Sequence, residues 1–76
     1  MSLDSAPQGT SVMVVRVQTD GKTRRHLENL GIMPGTDVTP LTRENGNMIV
    51  RVHDSRIAIN GSVAESIIVR SRPVFA

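Results

Sequence analysis

Residues 39–60 read TPLTRENGNMIVRVHDSRIAIN, three runs of alternating apolar and polar residues hinged at Asn45-Gly46 and again at Asp54-Ser55. Asn-Gly is the preferred pair for a two-residue type I′ loop, because both residues tolerate positive φ. With that loop Arg43 faces Met48, Leu41 faces Val50 and Thr39 faces Val52. Taking Asp54-Ser55 as the second loop sets Val52 opposite Ile57 and Val50 opposite Ile59. The two turns are independent, yet both place Leu41, Met48, Val50, Val52, Ile57 and Ile59 on one face, since side chains alternate along a strand with a period of two. The other face carries Thr42, Ile49, Arg51, His53, Arg56, Ala58 and Asn60, mostly residues that water tolerates. A ribbon with one aliphatic face must cover it, and the flanking sequence is where the cover has to come from.

Upstream, Ser11 to Gln18 holds the β-branched run Val12, Met13, Val14, Val15, Arg16, Val17, which predicts a first strand. Asp20-Gly21 breaks it. Lys22 to Leu30 then places Thr23, Leu27 and Leu30 on one face of a short helix. Gly31 stands where a left-handed C′ residue is wanted, and Ile32 would touch Leu27 in a Schellman stop. Met33-Pro34-Gly35-Thr36 predicts a type II turn, with proline setting φ at its second position and glycine supplying positive φ at its third. Downstream, Gly61-Ser62 ends the ribbon, Val63 to Ser66 predicts a helical turn, and Ile67 to Ser71 a last strand. Residues 1–10 mix Ser, Asp, Pro, Gln and Gly with one Leu and read as a disordered lead-in, leaving 11–76 as the domain. The expected fold class is mainly β, a small closed barrel of five strands with one short helix inserted after the first strand.

A chain of 76 residues has room for one modest core, and with no cysteine it lacks disulfides, thiolate metal sites and a cysteine nucleophile. No apolar run approaches the ~20 residues needed to cross a bilayer, so the protein is expected to be soluble and cytoplasmic, with no membrane insertion. The sequence pI near 10.5 overstates its basicity. Nine Lys and Arg against seven Asp and Glu leave a formal charge of +2, and little titrates between about pH 8 and 10. There is no Trp or Tyr, and the one Phe is Phe75 near the end. Proline-rich peptides and single-stranded nucleic acid are both held on aromatic side chains, so neither is an expected ligand.

The order of features resembles the FeoA family, small cytoplasmic partners of the bacterial ferrous-iron transporter FeoB. The resemblance rests on Arg24-Arg25-His26-Leu27 leading to Leu30-Gly31-Ile32-Met33-Pro34-Gly35-Thr36, then Arg56-Ile57-Ala58-Ile59, then Ala64 with Ile67-Ile68-Val69. It covers about Ser11 to Arg70. It departs from the family at the compact Glu44-Asn45-Gly46-Asn47 turn, where members often carry a longer connection containing proline. The resemblance implies an SH3-like barrel and a non-catalytic accessory role in iron uptake, through contact with the cytoplasmic part of the transporter. The same fold ends some metal-dependent repressors, so a metal-responsive regulatory module is the alternative.

The residues add little chemistry of their own. His26 and His53 are the only histidines, and Asp54 beside His53 falls short of the three or four converging ligands of a stable metal site, so no metal ligand is assigned. No nucleophile with a base, no paired carboxylates and no phosphate loop stand out, so no catalytic residue and no cofactor are expected. The arginines are the better candidates, since guanidinium pairs bidentately with carboxylates and is enriched at interfaces. Arg24 and Arg25 on the helix, Leu27, Met33, Ile49 and Arg51 are the expected partner-binding residues, with room for weak self-association.

Overall fold

The structure is a computed structural model and describes residues 1–71; Phe75 and the C-terminal end of the expected 11–76 domain lie outside the described residues. The strands are β1 (Val12–Val17), β2 (Asp37–Glu44), β3 (Asn47–Val52), β4 (Ser55–Asn60) and β5 (Ile67–Ser71). Helix α1 (Gly21–Asn29) follows β1, and the short helix α2 (Gly61–Ser66) joins β4 to β5. The strands form one antiparallel sheet in the order β4-β3-β2-β1-β5. This is the mainly β, five-stranded arrangement expected, with the helix inserted where the glycine signals put it.

The inner face is aliphatic. Val12 and Val14 from β1, Val38 from β2, Met48, Val50 and Val52 from β3, and Ile67 and Val69 from β5 are all buried. The Asn45-Gly46 loop forms as expected, with φ of 51° and 79°, and it pairs Glu44 with Asn47 and Arg43 with Met48. Beyond Thr42 the register departs from expectation. A bulge at Leu41 sets Pro40 opposite Val50 and Val38 opposite Val52. Proline cannot donate to a ladder and is accommodated at bulges. Val38 and Pro40 therefore turn inward, and Leu41 is left half-buried rather than on the core face.

The second loop also differs. His53-Asp54 forms the turn instead of Asp54-Ser55, so Val52 pairs with Ser55, Val50 with Ile57 and Met48 with Ile59. His53 adopts φ of 55°, a left-handed conformation that histidine enters more readily than most non-glycine residues. Moving a two-residue loop by one position slides the ladder by two, so each side chain keeps its face while its neighbours change. The inward set is correct except for Leu41, whereas the cross-strand pairs of β3 with β4 are not those expected.

Residues 1–10 do not form the disordered lead-in that composition suggests. Leu3–Ser5 make a 3-10 turn, Leu3 is fully buried and Ala6 is 3% exposed. The Val69 N–H donates to the Met1 carbonyl at 2.8 Å, and Ser2 bridges Ile68, so the segment lies along the outer side of β5. At the other end of the sheet α1 flanks β4. Sheet edges left open invite pairing with other chains, and here the chain's own N-terminal segment and helix stand beside them. Leu3→Ala is expected to cost about 2–5 kcal/mol in urea denaturation, as a core truncation does. A loss below about 0.5 kcal/mol, the size of an ordinary surface change, would return the segment to the status of a loose end.

Candidate functional surface

Helix α1 begins at Asp20, whose carboxylate accepts from the Thr23 N–H at 2.7 Å and from the Thr23 hydroxyl at 3.1 Å. This N-cap satisfies one of the orphan donors of the first turn, a role the sequence reading did not assign to Asp20. The helix ends as expected. Ile32 N–H donates to the Leu27 carbonyl at 2.8 Å and Gly31 N–H to the Glu28 carbonyl at 2.9 Å, the two bonds of a Schellman motif, with Gly31 at φ 94°. A Cβ on Gly31 would also sit 3.3 Å from both the His53 ring and a Val52 methyl, so the stop is packed as well as turned.

Between these ends α1 points Leu27 into the core at 1% exposure and presents Arg24, Arg25 and Glu28 to solvent. Leu27 is therefore not a partner-binding residue as expected. It is the one strong apolar position facing inward on a narrow stripe, and the barrel covers it. A 180 Å³ cleft separates α1 from β4 and α2, walled by Thr23, His26, Leu30, Ala58 and Val63.

The other expected residues are accessible but divided. Met33 is 38% exposed at the start of the type II turn, which closes through a 3.1 Å bond from Thr36 N–H to the Met33 carbonyl. Ile49, half-buried, and Arg51, exposed, lie on the outer face of β3. Ile49 sits between Thr42 and Ala58, and Arg51 between Thr39 and Arg56. An open groove of 470 Å³ is lined by Arg51, His53 and Thr39 on one side and Gly35, Thr36 and Ser11 on the other, with Asp37 between. The fold thus brings Arg51 beside the turn that starts at Met33. Arg24 and Arg25 belong to α1, a separate element.

Arg56, exposed on β4, pairs with Arg51 rather than the Ala58 of the expected register. Arg43 forms an exposed ion pair with Asp4 at 3.7 Å. No three His, Asp or Glu side chains converge among those residues, and no helix there is long and apolar enough to cross a membrane.

A mainly β sheet of five short strands with a helix inserted after the first defines a small SH3-like barrel module. The FeoA domain family model matches residues 1–71, and the chain belongs to that family, as the helix-stop motif and the strands after it implied. A FeoA from Stenotrophomonas maltophilia, complexed with zinc and described as a prokaryotic SH3 domain protein and candidate ferrous iron transport activating factor, is 28% identical. The likeness covers 92% of this chain and 89% of that one, with a TM-score of 0.80. FeoA from Chlorobium tepidum superposes with a TM-score of 0.87 at 23% identity, over 93% of this chain and 70% of that one. A manganese-dependent transcriptional repressor shares the fold at 21% identity with a TM-score of 0.85; 95% of this chain matches only 41% of it. No curated protein matches the chain.

The Asp20 cap makes α1, and with it the presentation of Arg24 and Arg25, dependent on pH. The hydrogen bond from the Thr23 backbone, then that from its hydroxyl, holds the Asp20 carboxyl below its ordinary value of 3.8. A carboxyl lowered in the folded state contributes stability above its unfolded pKa and loses it as pH falls through the folded one. Asp20→Ala is accordingly expected to be less stable than the wild type at about pH 6, with the gap closing towards about pH 2. Urea titrations at both pH values measure it, and a gap that stays constant would show that the charge of Asp20 is immaterial to the cap.

Proposed function

We propose that this chain is a non-catalytic accessory of ferrous-iron uptake that works by binding the cytoplasmic part of a FeoB-type transporter and biasing its conformation or assembly. Family membership over all of the described residues, 1–71, carries this reading. It is supported by the near full-length likeness to a relative described as a candidate activating factor for ferrous iron transport. The surface suits such work. The inner face is spent on the core, while the outer face and α1 leave Arg24, Arg25, Met33, Ile49 and Arg51 accessible as contacts. Arginine at the rim of an interface steers encounter with an acidic surface and adds bidentate hydrogen bonds on arrival.

The likeness to a metal-dependent repressor favours a second reading, a regulatory module that senses metal itself. The two separate cleanly by thermal unfolding. A ligand that binds only the folded state raises Tm by mass action, so a large rise at low micromolar ferrous iron or manganese would favour sensing. The accessory reading expects Tm to be unmoved by metal. It also expects the cytoplasmic domain of the transporter to retain the chain in a pulldown, with R24E/R25E weakening retention about tenfold. Unchanged retention would remove the helix from the interface, and no retention of the wild type would overturn the transporter reading.

A further inference from the structure

The first six residues are held by buried side chains and strand-edge bonds. Their 3-10 turn, Leu3–Ser5, packs against α2 and β5, with Leu3 fully buried and Ala6 nearly so. Beside it the Val69 N–H donates to the Met1 carbonyl at 2.8 Å, and Ser2 bridges Ile68. Together α2 and the edge of β5 form a socket, fitted by one leucine and one short stretch of backbone.

The link from the socket to β1 is of another kind. Residues 7–11 are exposed in succession. The chain reverses there through a turn over Pro7–Thr10, closed by a long bond of 3.4 Å from the Thr10 N–H to the Pro7 carbonyl. Gly9, at the third position, has φ of 81°, as a type II turn requires. A Cβ there would meet nothing within 4 Å, so only the sign of φ restricts what can stand at that position. Ala6 is extended, at φ −72° and ψ 143°, the conformation that a following proline favours. One bond, from the Gly9 N–H to the Pro40 carbonyl at 2.7 Å, ties the reversal to the sheet. Without the turn, five residues can run on for up to about 17 Å, far enough to hand the segment to a neighbouring barrel.

We infer that the socket between α2 and β5 is a docking site for residues 1–6 of a second copy of this chain, exchanged reciprocally with Gly9 as the hinge. The chemistry of the occupant is on view, because the socket is filled by this same segment. A second copy brings the same leucine and the same edge bonds. Exchange therefore keeps the contacts of the segment and alters the hinge, which makes it a low-cost route to a closed dimer. The tether opposes it. A short flexible link holds its own segment at an effective concentration on the order of millimolar. Opening also gives up the bond from Gly9 to Pro40. Self-association of the wild type is accordingly weak, and a change that disfavours the reversal strengthens it.

Sedimentation of the full chain from about 10 µM to about 1 mM, with ¹⁵N spectra at both ends of the range, tests the exchange. G9V places a β-branched side chain where φ is positive, straining the reversal and not the straightened link, so its dimer should be about tenfold or more tighter than that of the wild type. G9N, which tolerates the left-handed conformation, should stay within about threefold of the wild type. In the G9V dimer the amides of the hinge should shift while that of Val69 holds its place, since its acceptor is the same carbonyl from another copy. G9V/L3A keeps the hinge change but removes the side chain that fills the socket, and should dimerise about tenfold less tightly than G9V. G9V that remains monomeric at the highest concentration, G9N that dimerises as tightly as G9V, or G9V/L3A that does the same would each overturn the proposal. So would a dimer whose shifts lie on α1 or the outer face of β3 with the hinge unmoved. No transporter takes part, so the result is independent of the pulldown.

Discussion

The chain leaves β1 at Val17, makes a helix, and must return beside β1 to begin β2, and the backbone between Leu27 and Thr36 is what brings it back. The Schellman stop at Gly31 ends α1 and sends Ile32 into the core at zero exposure. The type II turn follows at once, and its far side is tied to β1 by Gly35 N–H to the Val14 carbonyl at 2.8 Å and Val14 N–H to the Thr36 carbonyl at 2.9 Å. The β1–β2 ladder itself is short, pairing Val12 with Val38 and Met13 with Asp37. Those two turn bonds lengthen it. Both glycines sit at φ above 90°, where a side chain is strained, and Gly31 also has His53 and Val52 packed against it. Helix end, core contact and strand pairing are thus three consequences of one stretch of backbone.

Such tight local control matters in a domain with so little core. A chain of this size buries a modest fraction of its surface and has no disulfide to offset that. The core is filled instead from unexpected places. Leu3 and Ala6 arrive from a polar N-terminal segment, and the Met1 amine and carbonyl both bond to Val69. The bulge in β1 between Val14 and Arg16 leaves Val15 and Arg16 exposed in succession, so that Val14 and Val17 both face in. The packing therefore tolerates a break in alternation where the sheet curls, as bulges do in small barrels.

What was legible in the sequence follows the physics of each feature. Asn45-Gly46, Gly31 and Pro34-Gly35 demand particular φ values, and each produced the turn its chemistry requires. The inward faces of β3 and β4 were legible because parity survives a slip of two residues; that of β2 was not, because the bulge at Leu41 slips it by one and turns Val38 and Pro40 inward, and the β3–β4 register was not, because His53 took a left-handed conformation that no glycine advertised. Leu3 was hidden because one leucine among polar residues has no period to read. Leu27 was assigned to a partner when the barrel needed it, since the helix offers one strong apolar residue and a sequence cannot say which surface claims it.

The Arg51–Arg56 row shows why local placement of charge says more about this molecule than its total. A formal charge of +2 spread evenly over the surface would steer little. The β3–β4 register sets two of those charges on directly opposed positions, where like charges disfavour pairing. The same turn that creates the row also orients it, since His53 closes the hairpin one residue early and packs against Gly31 at the end of α1. A change at Gly31 would therefore disturb two things at once, the helix stop that builds the barrel and the hairpin that sets the arginines opposite each other. Helix stop and hairpin are coupled where the His53 ring lies against Gly31.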